Sequence, residues 1–423
     1  MRANQNRLST DFCLMFSLSR NFSAITDRVP MLRHYAFSNF QSFRDQTVVS
    51  FELSQKAASH GWQVTSRGNA RLTTVLAVMG ANGAGKTGAL KPLAFVAWFV
   101  AHSFHLPADQ PIPMSTHALA TAEPARIALE VEDTDGCLWR YELEIRAQRV
   151  FREALFRKRE RFNYVFVRTL NADESGYDIK QQGFDFSPAE ARKVRFNASL
   201  ISTAAQYGVP LAQWLRSFGV VTNINLDGRS HFGAQHLAQS AEFFAQDDGA
   251  RQRMVGFLAS WDLGVSEVDI ERLDAQRADG SVDRSWHAKV KHHSALGEFA
   301  LRMEQESSGT QSAFVLLSRL LPVLRDGGLA VLDELDSDLH PLMIEPILDL
   351  FANPATNPHQ AQLIFTCHTS EILDLLHKSQ VLLVEKTDGH SQGYRADEIK
   401  GLRSDDNLRA KYMAGALGGI PRF

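Results

Sequence analysis

Hydrophobic and polar positions alternate, then cluster, along the N-terminal part of the chain. Residues 31–53 alternate as paired strands do, and the apolar run 72–79 predicts a buried strand. After a glycine-rich turn, residues 90–104 carry apolar side chains at helical spacing. Residues 125–169 alternate again, with Asp135-Gly136 as a hairpin turn signal. The pattern predicts antiparallel strands beside a strand–turn–helix unit.

The pattern changes in the second half of the chain. Residues 188–262 have a largely helical pattern, and residues 265–300 are mixed, with strand-like stretches at 265–273 and 285–292. From residue 309 onward helices alternate with buried strands, which is typical of a parallel sheet. We therefore predict an α/β fold with a mixed central sheet, an antiparallel β-subdomain and a helical insertion. The predicted divisions are an N-terminal extension (1–30), an N-terminal lobe (31–170), a mostly helical insertion (171–300) and a C-terminal lobe (301–423).

The composition indicates a globular protein of the cytoplasm. The chain has 423 residues, of which 44% are hydrophobic and 22% charged, with a net charge of −3. This excludes a global basic field that would attract nucleic acid. Its three cysteines lack metal-site spacing and favour a reducing compartment. No apolar run reaches the roughly 18 residues of a membrane helix.

The first 30 residues differ in texture from the rest. We expect a disordered extension, with Met31 as the natural start of the protein. A signal peptide is the alternative, because residues 12–18 are apolar, but a small-residue cleavage site does not follow them.

The glycine-rich turn carries the first chemical motif. Its sequence, GANGAGKT, matches the phosphate-binding pattern G-x-x-x-x-G-K-[ST] and lies between a strand and a helix. The backbone N–H groups of such a loop and the helix N-terminus attract phosphate. We expect Lys86 to reach the β- and γ-phosphates of ATP and Thr87 to bind Mg²⁺. The predicted nucleotide-binding residues are Gly80, Asn82, Gly83, Gly85, Lys86 and Thr87.

A second motif ends an apolar strand with two acids. After Leu329-Ala-Val-Leu come Asp333 and Glu334, as in a Walker B segment. We expect Asp333 to hold Mg²⁺ together with Thr87, and Glu334 to polarise the attacking water as general base.

Three further stretches have simpler interpretations when each is taken alone. Ser308, in the segment Glu306–Gln311, precedes a helical stretch and would serve as its N-cap. His368 ends an apolar strand, where a histidine bonded within the fold is common. Gln206 follows two alanines at the end of a helical stretch.

The order of these motifs resembles ABC-type ATPases of the SMC/Rad50/OLD branch across about residues 31–423. More narrowly, the opening 31–51, the Ala-Ala-Gln at 204–206 and the ending 411–423 are similar to the bacterial AAA-fifteen ATPases. Thr310 stands where the transporter signature has its second glycine, which is a departure from that form.

The resemblance implies roles that the separate motifs do not. Ser308, Gly309 and Gln311 would form a signature that binds the γ-phosphate held by a partner subunit. The protein would then be a homodimer, or a higher homo-oligomer, with composite ATP sites. His368 would be the switch histidine, Gln206 the Q-loop residue at the metal, and residues 336–341 a D-loop at the seam.

The same resemblance implies a function in anti-phage defence. ATPases of this kind occur in systems such as PARIS and in abortive-infection pairs, typically beside a TOPRIM nuclease. We therefore predict a slow, regulatory ATPase that responds to a phage-encoded trigger and controls a separate TOPRIM effector.

A RecF/Rad50-like DNA-repair ATPase is the alternative. The basic stretch 149–161 would then contact phosphates, although a solvated strand face explains such a charge run more simply. A transporter subunit is disfavoured by the long insertion between the motifs. His292 and His293 are predicted to be surface residues, since neighbours in a strand point to opposite faces.

Overall fold

The computed structural model describes residues 30–54, 57, 61–225, 228–230, 232–261, 264–276, 282–337 and 339–420. The predicted N-terminal extension lies almost entirely outside the described residues.

A six-stranded mixed sheet forms the centre of the protein. Its order is β11-β15-β16-β5-β17-β18, and every neighbouring pair is parallel except the hairpin β17–β18. Strands β5, β15 and β16 are buried along their whole length, as expected for apolar strands covered on both faces. The strands are β5 (Val75–Met79), β11 (Val220–Thr222), β15 (Leu329–Leu332), β16 (Gln362–Thr366), β17 (Val381–Thr387) and β18 (His390–Arg395).

A seven-stranded antiparallel sheet forms the N-terminal lobe, in the order β10-β9-β8-β7-β6-β1-β2. The predicted hairpin at Asp135-Gly136 joins β6 to β7, and Gly136 takes the positive φ of 81° that this turn needs. A short hairpin, β3 (Gln63–Thr65) with β4 (Arg71–Thr73), precedes the central strand β5. The seven strands are β1 (Met31–Ser38), β2 (Thr47–Ser50), β6 (Ala125–Glu132), β7 (Leu138–Arg146), β8 (Arg149–Lys158), β9 (Phe162–Leu170) and β10 (Tyr177–Gln181).

Helices cover both faces of the central sheet. Most of the apolar stretch predicted at 90–104 lies in the first of them, which starts four residues earlier, at Lys86, and ends at His102. The helices are α1 (Lys86–His102), α2 (Pro188–Ala191), α3 (Leu200–Gln206), α4 (Pro210–Arg216), α5 (Ala234–Gln246), α6 (Asp248–Ser260), α7 (Ser308–Asp326), α8 (Ile344–Ala352) and α9 (Leu408–Met413).

The predicted mostly helical insertion, residues 171–300, is wrong as a description of this segment. Besides α2–α6 it contains β10, β11 and most of a three-stranded antiparallel sheet. The three strands of that sheet are β12 (Val265–Gln276), β13 (Val282–Ser294) and β14 (Gly297–Arg302). Two alternate residues of its middle strand, Ala288 and Val290, are buried, and α5 packs against that strand. Burial of one face against helices therefore favours strands here.

The central sheet separates two hydrophobic cores. Along β5, Leu76 and Val78 belong to the core shared with α1 and the N-terminal sheet. Val75, Ala77 and Met79 belong to the core shared with α5–α8 and the small sheet. None of the helices within the described ranges combines the length and apolar character of a membrane span.

Candidate functional site

The phosphate-binding loop lies where the sequence predicts it, between β5 and α1. Gly85 has a φ of 111°, and a Cβ there would lie 2.5 Å from Ser391 Oγ. A Cβ on Gly80 would lie 2.3 Å from the carbonyl oxygen of Val384. Both glycines are therefore required by backbone conformation or by close approach to β17 and β18. Asn82 and Gly83 form the exposed outer part of the loop.

Lys86 is held inside this loop. Its Nζ donates hydrogen bonds to the carbonyl oxygens of Gly80 at 2.8 Å and Ala81 at 3.2 Å. Burial lowers the pKa of Lys86 from its ordinary value, and nearby carboxylates, Asp333 first among them, oppose that shift. A desolvated cation at a helix N-terminus is suited to bind a phosphate group.

Thr87 and Asp333 are brought together although 246 residues separate them. The Thr87 hydroxyl donates to Asp333 Oδ2 at 2.8 Å, and the Thr366 hydroxyl donates to Asp333 Oδ1 at 2.7 Å. Asp333 is only 2% exposed, so its carboxylate orientation is fixed by these two hydroxyls. A hydroxyl and a carboxylate are hard oxygen ligands that fit Mg²⁺, which usually takes its remaining ligands from phosphate and water.

A loop that the sequence did not flag holds the backbone of Asp333. The Asn223 side chain accepts from the N–H of Asp333 at 2.7 Å and donates to its carbonyl at 2.9 Å. Asn223 directly follows β11, which is the parallel neighbour of β15. Nothing in the sequence around Asn223 marks it, because only the strand order shows that it neighbours β15.

Glu334 occupies a special backbone position. Its φ is 49°, a left-handed conformation that is uncommon for a residue other than glycine, and its N–H donates to Thr366 Oγ1 at 2.6 Å. Arg229 Nη1 donates to Glu334 Oε2 at 2.8 Å. The other carboxylate oxygen lies 3.8 Å from His368 Nε2. The structure therefore brings the predicted base and the predicted switch histidine together.

Asp336 fixes the strand end that carries His368. Its Oδ2 accepts from the N–H groups of His368 and Thr369 and from the Thr369 hydroxyl, at 2.9, 2.8 and 2.7 Å. Burial raises the pKa of Asp336, but these hydrogen bonds outweigh burial and leave it lowered. His340 lies in the predicted D-loop and accepts from Leu342 N–H, whereas Asp338 lies outside the described residues.

The signature segment, Glu306–Gln311, starts helix α7 with a different cap from the one considered from sequence. Ser307, not Ser308, is the N-cap, and its hydroxyl accepts from Thr310 N–H at 3.1 Å. Ser308 is exposed on the first turn beside Gly309. The Gln311 side chain donates to the Glu306 carbonyl at 2.9 Å. The N-cap interpretation therefore does not account for Ser308.

His292 belongs to this region, so its prediction as a surface residue is wrong. Its Nε2 lies 2.8 Å from Glu306 Oε1, and its Nδ1 lies 2.8 Å from the carbonyl oxygen of Gly264. The His292 side chain is 12% exposed, because Phe299 stacks against the ring at 5.0 Å. Strand β13 is thus bonded to the residue that precedes the signature serines.

Gln206 is not brought to the Thr87–Asp333 pair by any hydrogen bond in the described part of the chain. It is exposed at the last position of α3. Its role at the metal remains a prediction.

Two arginines of the basic stretch 149–161 form ion pairs within the sheet. Arg149 pairs with Glu174 at 2.8 Å, and Arg152 pairs with Glu142 at 2.6 Å. Arg157 lies 4.8 Å above the Trp139 ring. These contacts favour the solvated strand face for these three arginines, whereas Arg159 and Arg161 are exposed.

The comparisons with known proteins identify the class. The sequence profile described as "AAA domain, putative AbiEii toxin, Type IV TA system" matches residues 75–374, well over half of the chain. The chain therefore belongs to this family, and the narrower AAA-fifteen group remains a resemblance. The predicted α/β P-loop fold with mixed central and antiparallel sheets is confirmed.

Solved structures similar to this chain include SMC heads and RecF. An SMC head bound to the C-terminal winged-helix domain of ScpA has a TM-score of 0.44 and 12% identity, covering 86% of this chain and 97% of its own. The SMC head of Pyrococcus yayanosii has a TM-score of 0.44 and 12% identity, covering 91% and 99%. RecF with ATP has a TM-score of 0.40 and 12% identity, covering 87% and 100%. No functionally curated protein matches the chain significantly.

Proposed function

We propose that this protein is an ABC-type ATPase that hydrolyses ATP slowly and acts as a nucleotide-dependent dimeric switch. The observation that carries the proposal is the hydrogen-bonded set Thr87, Asp333 and Thr366 directly beside the buried Lys86. These residues come from a phosphate-binding loop and two neighbouring strand ends, as one nucleotide site requires.

The residues present fit Mg-ATP. The loop N–H groups and Lys86 would hold the phosphates, and Thr87 and Asp333 would hold Mg²⁺, which neutralises phosphate charge when bound. Within the described residues, no group of three or more histidine, cysteine or acidic side chains is placed to hold a metal on its own. The donor set therefore suits a metal that shares its coordination with phosphate.

Glu334 is the proposed general base, and His368 contacts the same region. In a closed dimer, the exposed Ser308 and the N-terminus of α7 would bind the γ-phosphate held by the other subunit. This composite arrangement rests on the exposure of Ser308 and on the resemblance described above.

The proposed output is control of a separate effector, a TOPRIM nuclease, in anti-phage defence. Two findings support it: the family description, which is compatible with such a system, and the ion pairs of Arg149 and Arg152, which reduce the positive charge that this strand face offers to DNA. A RecF-like DNA-binding ATPase is the alternative that the test below separates.

The test is the variant Glu334→Gln, with Glu345→Gln, an exposed glutamate of α8, as the matched control. We expect turnover to fall by about 10²- to 10⁴-fold, the usual contribution of a general base. ATP binding should persist, and the variant should accumulate as an ATP-dependent dimer in light scattering. Wild-type turnover in Glu334→Gln would remove Glu334 as the base.

To test the effector, the same proteins are mixed with the product of the neighbouring gene, which the proposal expects to be a TOPRIM nuclease. ATP-dependent binding of that nuclease, with no salt-sensitive affinity for DNA, supports the switch. DNA affinity that falls with salt and with replacement of the exposed Arg159 and Arg161 supports the RecF-like function instead.

A further inference from the structure

Glu334 needs a restraint that its own strand does not provide. Its neighbour Asp333 has both carboxylate oxygens bonded to hydroxyls, those of Thr87 in α1 and Thr366 in β16. The Glu334 side chain is 38% exposed, and the Thr366 hydroxyl holds only its backbone. A base with free rotamers spends little time in the geometry that a reaction requires.

Arg229 supplies that restraint from a different part of the chain. Its side chain is 12% exposed, and Nη1 donates to Glu334 Oε2 at 2.8 Å. Because one oxygen is held there, the other faces His368 Nε2 at 3.8 Å. The Arg229 ion pair therefore restrains the Glu334 carboxylate, with its second oxygen turned towards His368.

Arg229 lies in a short loop that begins at Asn223, and the Asn223 side chain anchors this loop to the backbone of Asp333. Ser230 N–H donates to the Asn223 carbonyl at 2.7 Å, and Ile224 and Arg229 form an isolated antiparallel bridge. Both acids at the end of β15 are therefore held by one short loop, of which residues 223–225 and 228–230 are described.

The residues that flank this loop contact the signature helix α7. Arg319 of α7 donates to the Thr222 carbonyl at 3.1 Å, and its guanidinium lies 5.1 Å from the centre of the Phe232 ring. A cavity of about 20 Å³, lined by Arg229, Glu334 and the α7 residues Ser312 and Leu316, lies between them. The Arg229–Glu334 pair thus lies next to the signature helix α7.

We propose that Arg229 is a positioning residue for ATP hydrolysis, which orients the Glu334 carboxylate through the ion pair. The inference rests on the proposed function, in which Glu334 is the general base. It does not require Arg229 to contact the nucleotide. Loss of Arg229 should therefore lower kcat and leave ATP affinity in place.

The test measures steady-state ATPase kinetics of the full chain with Arg229→Ala, Arg229→Gln and Arg229→Lys. Arg253→Ala, which replaces a half-buried arginine of α6, is the matched control. For Arg229→Ala we expect kcat to fall by about 10- to 100-fold, since small misplacements of a catalytic group cost rates of this order. KM and the Kd for a fluorescent ATP analogue should change by less than about twofold. Arg229→Lys, which keeps the charge, should recover part of the rate, and Arg229→Gln should recover less.

The outcomes separate this inference from the proposed function. No turnover in the wild-type chain would contradict both. If Glu334→Gln is inactive but Arg229→Ala turns over like wild type, or faster, then only the positioning role is wrong. A rise in KM with unchanged kcat, or a loss that Arg229→Lys does not relieve, would also contradict it. If Arg229→Ala does not fold, the comparison of Arg229→Lys with Arg229→Gln decides.

Discussion

The phosphate-binding region and the signature segment differ in how far one chain satisfies their polar groups. Lys86, Thr87 and Asp333 are hydrogen-bonded to carbonyls or to one another, and Lys86 and Asp333 are buried. Ser308 is exposed at a helix N-terminus, and its hydroxyl has no hydrogen-bond partner among the described residues. The first region is complete within one protomer, whereas the second presents its donors outward. This contrast supports a site that a second subunit completes.

Lys86→Ala breaks the complete region and should have the largest effect. It removes a charged donor to phosphate, and hydrogen bonds to charged groups contribute about 1.5–3 kcal/mol each. We expect affinity for a fluorescent ATP analogue to fall by about 100-fold or more, measured by titration of the purified chain. Lys193→Ala, an exposed lysine paired with Glu190, is the control and should bind normally. Unchanged affinity in a folded Lys86→Ala protein would show that the loop does not bind the nucleotide as proposed.

Ser308→Arg tests the outward-facing region. An arginine on the first turn of α7 should block approach of a second subunit, so turnover should be lost. ATP binding by a single protomer should stay within about twofold of wild type. Among the described residues, no hydrogen bond joins Ser308 to the phosphate-binding loop of the same protomer.

Mixing subunits makes that test decisive. In a heterodimer of Lys86→Ala with Ser308→Arg, one of the two composite sites contains both wild-type residues. Mixed protein should therefore regain part of the turnover that neither variant shows alone. If mixing restores nothing, or if Ser308→Arg hydrolyses ATP normally, the sites are not shared.

Thr366→Val tests the phosphate-binding region by removing a hydroxyl that holds both acids of β15. The Thr366 hydroxyl both donates to Asp333 and accepts from the Glu334 N–H. Its loss leaves that buried N–H unsatisfied, which costs about 1–3 kcal/mol. Urea unfolding with and without Mg-ATP should show lower stability and a smaller gain from the ligand. Thr203→Val, also buried but bonded only within α3, is the control and should keep the full ligand gain.

The sequence predicted those parts of the site that one continuous motif carries. The loop from Gly80 to Thr87 and the strand end at Asp333 follow from local pattern and from the convergence of parallel strand ends. The same argument could have predicted Thr366 as a site residue, because it ends the neighbouring strand β16, two residues before His368.

The roles of Asn223 and Arg229 could not be predicted from the sequence, for a physical reason. Their contacts with the acids of β15 depend on β11 joining the edge of the sheet, and a three-residue strand gives almost no periodic signal. The strand-like stretches 265–273 and 285–292 do lie in β12 and β13 of the small sheet. Their pairing into one sheet is not a local signal, because it depends on α5 and α6 covering one face.

The smallest predicted effect is a change in the pH dependence of stability at His236. This residue lies in the first turn of α5, the helix that follows the loop from Asn223 to Arg229. Burial, and secondarily the charge of Arg319, lowers the pKa of His236 to about 4. Its Nδ1 accepts from the Gly233 N–H at 3.2 Å, which requires that nitrogen to be unprotonated. In the unfolded chain a histidine titrates near its ordinary pKa of about 6.5. Between about pH 4 and 6.5 the unfolded state therefore binds more protons than the folded state.

The stabilising contribution of neutral His236 is thus fully present above about pH 6.5 and is lost as the pH falls towards 4. His236→Gln keeps a polar side chain without that titration, so its unfolding free energy should fall less steeply over this range. Urea unfolding at half-unit pH steps measures the slope. His293→Gln, a change at a largely exposed histidine, is the control. Equal slopes in wild type and His236→Gln would mean that His236 does not titrate in this range between the folded and unfolded states.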